Sequence, residues 1–144
     1  MTYGNIYVAQ ISMGANQNQA LKAFKEAEAY PGPSIVIAYS PCIAHGIKEG
    51  MGKSQTEEKL ATEAGYWPIF RFDPRLIEQG KNPLQIDCKD PDWDKFEDYL
   101  KRERRYTILA GEFPERAKVL FAQNKSNAQD RWNYYKRLAS LDYS

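Results

Sequence analysis

The chain begins with alternating and β-branched apolar positions. Ile6-Tyr7-Val8-Ala9-Gln10-Ile11 predicts a strand that starts almost at once after Met1, which implies that Met1 stands inside something longer. Gly14 ends it, and Asn16 or Asn18 can cap a helix running to about Tyr30. On that helix Leu21, Phe24 and Ala27 share one face, with Ala20 and Ala23 beside them. Ser34-Ile-Val-Ile-Ala-Tyr39 follows, bounded by Pro31-Gly32-Pro33 and Ser40-Pro41. Both of its faces are apolar, as in a parallel strand covered on two sides. Strand, helix and strand joined by short connections predict a parallel pair with the helix crossing between them.

The rest of the pattern is more irregular. A glycine-rich connection, Pro41 to Lys53, leads to Ser54 and Glu57, which have the spacing of a capping box, and then to an apolar helix face at Leu60, Ala61 and Ala64. Tyr66 to Phe72 predicts a third strand, early or at an edge because of Pro68. Leu84 to Asp87 predicts a short fourth. Asp90-Pro91 starts a helix that places Trp93, Phe96, Tyr99 and Leu100 together. Lys101 to Arg105 has the look of a solvated helix end, and Tyr106 to Leu109 of a short strand or turn. From Pro114 a long helix carries a stripe of Ala117, Leu120, Phe121, Asn124, Ala128, Trp132, Tyr135 and Leu138. That stripe should pack on the sheet or on another chain. The expected class is α/β with a parallel-sheet core over about residues 1–72 and peripheral loops and helices over about 73–144, one domain or domain fragment in all.

Composition narrows the partners. The 144 residues carry a net charge of +1 and 27% charged side chains, which gives no electrostatic case for nucleic acid or an anionic membrane. No apolar run approaches the length of a membrane span, and no signal peptide is recognisable. Two cysteines far apart make no disulfide framework, so a reducing cytoplasm is the default location.

Candidate chemistry gathers after the second strand. Ligands of α/β sheets collect at the carboxyl ends of strands, where Cys42 sits. It is either a small buried hydrophobe or a soft metal ligand. Cys42-x-x-His45 offers two ligands and Cys88 a third, short of the four of a structural zinc site. Gly50-Met51-Gly52-Lys53-Ser54 resembles the end of a phosphate loop, but Ile47 stands where that pattern needs glycine. A flexible lead-in to the helix, or an anion held at the helix start beside Lys53, are the readings left. Asp90, Asp92 and Asp94 fit a helix start better than a calcium loop. No nucleophile, base and orienter set is present.

Longer stretches carry a resemblance. Tyr7 to Gly14, Ala23 to Ala29, Pro33 to Ile43, Gly50 to Gln55, Gly65 to Pro68, Phe72 to Leu76 and Gly80 to Pro83 are similar to the carboxy-terminal region of pyruvate:ferredoxin (flavodoxin) oxidoreductases. The likeness runs in order through nearly the whole chain and is densest before Asn82. It implies the second half of the domain that binds the diphosphate of thiamine diphosphate. It further implies an enzyme that decarboxylates pyruvate, gives the acetyl group to coenzyme A and passes electrons through 4Fe–4S clusters to ferredoxin or flavodoxin. The complete enzyme would be a homo-oligomer. In that family a Ser/Ala-Pro-Cys motif supplies the fourth ligand of the cluster next to the thiamine, and Ser40-Pro41-Cys42 matches it. The family's Gly-Asp-Gly motif for magnesium and diphosphate and its three earlier cysteines have no counterpart here. The chain alone should therefore bind no cofactor and be inactive, needing the remaining domains of the oxidoreductase. The other reading is a stand-alone α/β interaction module that kept the fold without the chemistry. His45, Lys53 and Cys88 gain no role from the resemblance.

Overall fold

A computed structural model describes all 144 residues. Its centre is β1 (Tyr7–Ile11), every residue of which is buried. β2 (Ser34–Ala38) pairs with it in parallel, Tyr7 opposite Ser34 and Ile11 opposite Ala38. Between them α1 (Gln17–Ala29) starts at Asn16, whose side chain accepts a hydrogen bond from the Gln19 amide. The strand–helix–strand expectation holds in all three elements.

The rest of the sheet departs from it. β3 (Phe70–Phe72) runs antiparallel to β1, and β4 (Leu84–Ile86) antiparallel to β3, giving the order β2-β1-β3-β4. The sheet is mixed, not parallel. The expected third strand from Tyr66 shortens to three residues because Pro68 removes a ladder donor and the Trp67 indole instead donates to the Ile11 carbonyl. The predicted buried strand is corrected as well: β2 is an edge, with Ile35 49% and Ile37 42% exposed.

Two layers cover the sheet. On one face Tyr7, Ala9 and Ile11 pack on Ala20 and Ala23 of α1. The helix therefore seats its small side chains, Ala27 among them, and leaves the expected Leu21 and Phe24 more than half exposed. On the other face Val8, Phe70, Phe72 and Leu84 meet Tyr135 and Leu138. Those two belong to α5 (Pro114–Ala139), about 39 Å long at ~1.5 Å per residue. A further core joins α2 (Ser54–Glu63), α3 (Phe96–Leu100) and the middle of α5 through Ala61, Phe96, Tyr99, Leu100 and Ala128. The stripe on α5 thus packs on this domain, although Leu120 stays 43% exposed. Residues 104–112 form α4 (Arg104–Glu112), not the expected strand or turn.

Candidate functional site

The loop from Tyr39 to Lys53 leaves the carboxyl end of β2 and is built in two halves. The first is a tight turn. Pro41 is buried and supplies no amide, and the Gly46 amide closes back on the Cys42 carbonyl at 2.8 Å. Gly46 has φ of 80°, a conformation that side-chain-bearing residues avoid. The turn holds the Cys42 Sγ 3.2 Å from Nδ1 of His45, with Ile43 and His45 turned to solvent. The His45 amide, its ring and the Ala44 amide together bring the Cys42 thiol down to about 7. The thiolate is the reactive form of a cysteine, and this turn favours it.

The second half of the loop is anchored from elsewhere. The Lys48 amide donates to the Arg102 carbonyl at 2.8 Å, and the Arg104 amide to the Gly46 carbonyl at 3.1 Å. Ile47, almost fully buried, bridges Glu103 between them. The Arg102 side chain reaches Glu49 at 2.7 Å and Glu57 at 2.7 Å. Glu57 was expected to close a capping box. It does not, because the chain already turns at Met51–Lys53: Lys53 becomes the cap residue and Ser54 the first helical one, its hydroxyl donating back to the Met51 carbonyl. Glu57 is instead fully buried under Arg102, and burial raises its carboxyl.

Tyr39, at the front of the loop, donates to Glu103 Oε1 at 3.2 Å and also hydrogen-bonds Tyr99. Burial drives both phenols upward, out of the range in which they titrate. Lys101 to Arg105 is consequently only in part a solvated run: Lys101 is exposed, while Glu103 is fully buried. Nothing in the local sequence marks Arg102 and Glu103 as loop anchors. Their loop and helix partners, Glu57, Glu49 and Tyr39, lie 45 to 64 positions away.

The other candidates separate. Cys88 follows β4, lies against the Ile69 carbonyl at 3.7 Å, and burial raises its thiol. No three His, Cys, Asp or Glu side chains come together as a metal cluster. Gly50 and Gly52 face open space, and the close backbone approach occurs at Gly14, whose missing Cβ would fall 2.0 Å from the Gln55 carbonyl oxygen. Gly14 also donates to Glu58 Oε2 at 2.8 Å. The helix start expected at Asp90-Pro91 lies two residues later, where Asp92 caps the helical turn at Trp93, while Asp90 instead pairs with Lys136 at 3.0 Å. A second polar cluster lies under α1. Arg71 forks onto Asp87 and Glu26, and Tyr7 donates to Glu26.

No helix is long and apolar enough to cross a membrane. No family model matches the chain. Among curated proteins it is 51% identical over 140 residues to the pyruvate-flavodoxin oxidoreductase of Enterobacter agglomerans, and 51% identical over 139 residues to the pyruvate:ferredoxin oxidoreductase of Moorella thermoacetica. It is 46% identical over 138 residues to the mitochondrial pyruvate dehydrogenase (NADP+) of Euglena gracilis. These matches take in 96% or 97% of the chain, but the chain spans only 12% of the first two proteins and 8% of the third. Over nearly its whole length the chain is thus homologous to one segment of the pyruvate-flavodoxin and pyruvate:ferredoxin oxidoreductases.

Proposed function

We propose that the chain is a segment of an enzyme that oxidatively decarboxylates pyruvate, and that its chemical contribution is the Cys42 thiolate as one ligand of a 4Fe–4S cluster. In this reading it forms the second half of a domain that binds the diphosphate of thiamine diphosphate with magnesium. Coenzyme A takes the acetyl group, and electrons leave for ferredoxin or flavodoxin. The bound cluster would supply one-electron transfer, and everything else asked of this chain is structural.

The observation that carries the reading is the state of Cys42. Both thiols are partly buried, but Cys42 stands at the carboxyl end of β2, held by a proline and a closed turn and lowered to about 7, whereas burial raises the Cys88 thiol. That fits a thiolate donor. It fits one thiolate donor only, since a cubane usually takes four and Cys42 has His45 beside it but belongs to no group of three ligand side chains. The remaining ligands would come from outside these residues. The open edge of β2 and the bare Ile35, Ile37, Leu21 and Phe24 side chains agree with further protein covering this side.

The test is a chimera in which this chain replaces the matching 140 residues of the Enterobacter agglomerans protein. Compared with the unmutated chimera, Cys42→Ala should lose the electron-paramagnetic resonance signal of one cluster and a matching share of iron, while Cys88→Ala keeps both. Full iron and full ferredoxin reduction in Cys42→Ala would return Cys42 to the status of an ordinary thiol.

A further inference from the structure

The loop bearing Cys42 is gripped on both sides by three consecutive residues. In front of the cysteine, Tyr39 donates to the Glu103 carboxylate. Behind it, the backbone of Arg102 and Arg104 pairs with Lys48 and Gly46, and the Arg102 side chain ties down Glu49 and Glu57. Between those two grips Ile43, Ala44 and His45 are exposed, so they do little to fix the loop. Glu103 and Glu57 are both fully buried, and each keeps one carboxylate oxygen without a hydrogen-bond partner. Burying carboxylates in this way is costly, and apolar residues of similar size would serve stability as well or better. What charged groups add is direction: each hydrogen bond fixes an angle as well as a distance.

We propose that Arg102 and Glu103 are positioning residues for Cys42, a brace that sets where the thiolate is presented to a metal cluster. The proposal rests on the reading of Cys42 as a cluster ligand. Tyr39, carried on the end of β2, transmits the position of the sheet to one side of the loop through Glu103. Glu57 transmits the position of α2 to the other side through Arg102. Cys42 is thereby referenced to two rigid elements even though its own turn lies at the surface. A thiolate whose place is fixed in this way tunes a cluster through geometry and solvent exposure.

Two variants test the brace without emptying the core. Tyr39→Phe keeps the ring and removes the hydroxyl. Arg102→Met combined with Glu57→Gln removes the ion pair without stranding a buried carboxylate. In the 144-residue chain, hydrogen exchange is read at the amides of Gly46, Lys48 and Arg104, with Tyr7, whose amide donates to Pro33, as the control. Exchange at the loop amides should rise roughly tenfold with the control unchanged, the factor expected from losing one charge-assisted hydrogen bond. In the chimera, the same variants should keep their iron but change the shape of the cluster's resonance signal, and Glu103→Gln, which can still accept from Tyr39, should change it less than Tyr39→Phe. Loop exchange equal to wild type, or a rise shared equally by the control amide, overturns the brace. Cys42→Ala separates the two readings. Full iron there removes the ligand assignment and this proposal with it. Iron loss there, with unchanged exchange and resonance in the brace variants, overturns the brace alone.

Discussion

Gly14→Ala probes the point where the turn after β1 meets the first turn of α2. A methyl group built on Gly14 would lie 2.0 Å from the Gln55 carbonyl oxygen, 2.7 Å from its carbonyl carbon and 2.8 Å from its Cα. Ordinary contact between carbon atoms is about 3.5 Å, so the two backbones must part by more than about 1 Å. All three crowded atoms are main chain, and Gln55 is held within α2, so no rotamer change relieves the clash. Overpacking typically costs about 1–3 kcal/mol, and this geometry belongs at the upper end. Parting the chains also stretches the bond from Gly14 to Glu58. Against this, replacing glycine restricts the unfolded chain and returns about 0.4–1 kcal/mol. The net expectation is a loss of about 2–3 kcal/mol. Gly111→Ala is the matched control, because Gly111 lies inside α4 with no atom near a built Cβ and should gain up to about 1 kcal/mol. Urea unfolding followed by circular dichroism should show the Gly14→Ala midpoint falling by on the order of 1 M at unchanged slope, and the Gly111→Ala midpoint level or higher. Equal midpoints for the two variants would refute the claimed contact.

Arg71→Met should cost about 2–4 kcal/mol in the same assay. The change strands Asp87 and Glu26, and the loss falls short of the 3–5 kcal/mol of a fully buried pair because those carboxylates keep 15% and 23% exposure. Adding Asp87→Asn should recover part of the loss, and strict additivity of the two changes would argue against direct coupling. Alkylation of Cys42 by iodoacetamide should rise with pH around a midpoint near 7, since the thiolate reacts and the fold lowers the thiol. His45→Ala removes one of the lowering contacts, so the midpoint should move to higher pH. An unchanged midpoint would show that the backbone amides act without the ring.

Much of the first half was legible because its signals are local. Asn16 caps α1 as its position suggests, and the spacing of β1, α1 and β2 fixes a parallel pair. The failures share a cause: each depended on what lies across the fold. Leu21 and Phe24 looked like the buried face of α1, but close packing on a sheet favours Ala20 and Ala23, one position away on the helical wheel. Residues 106–109 carry β-branched and aromatic side chains, yet they form helix because Tyr106 packs edge-on against Phe121 of α5 and hydrogen-bonds Tyr66. Ser34 to Ala38 is apolar on both faces, which usually means cover on both faces, and this chain supplies most of it on one. Of the candidate site, Cys42 was visible through its proline and its place after a strand. Arg102, Glu103 and Glu57 were not, since their meaning resides in contacts that span 45 or more positions.

The open edge and the single thiolate belong to the same region of the molecule, and that coincidence constrains how a cluster could be assembled here. In the parallel ladder with β1, Ile35 and Ile37 direct their main-chain groups toward β1, which leaves those of Ser34, Val36 and Ala38 on the free edge. The Cys42 turn continues from the end of that edge. Its far side is occupied by residues 102–104, so approach to the thiolate is open on the solvent side of the turn. The brace is made wholly of this chain's residues, Tyr39 and Glu57 on one hand and Glu103 and Arg102 on the other. On the proposed reading, then, Cys42 is held in place before iron arrives, and ordering entropy is already spent when the other three thiolates close around the cluster. A ligand loop that became ordered only on metal binding would show wild-type loop amides unprotected in the iron-free chain, a result that the hydrogen bonds at Gly46, Lys48 and Arg104 do not allow.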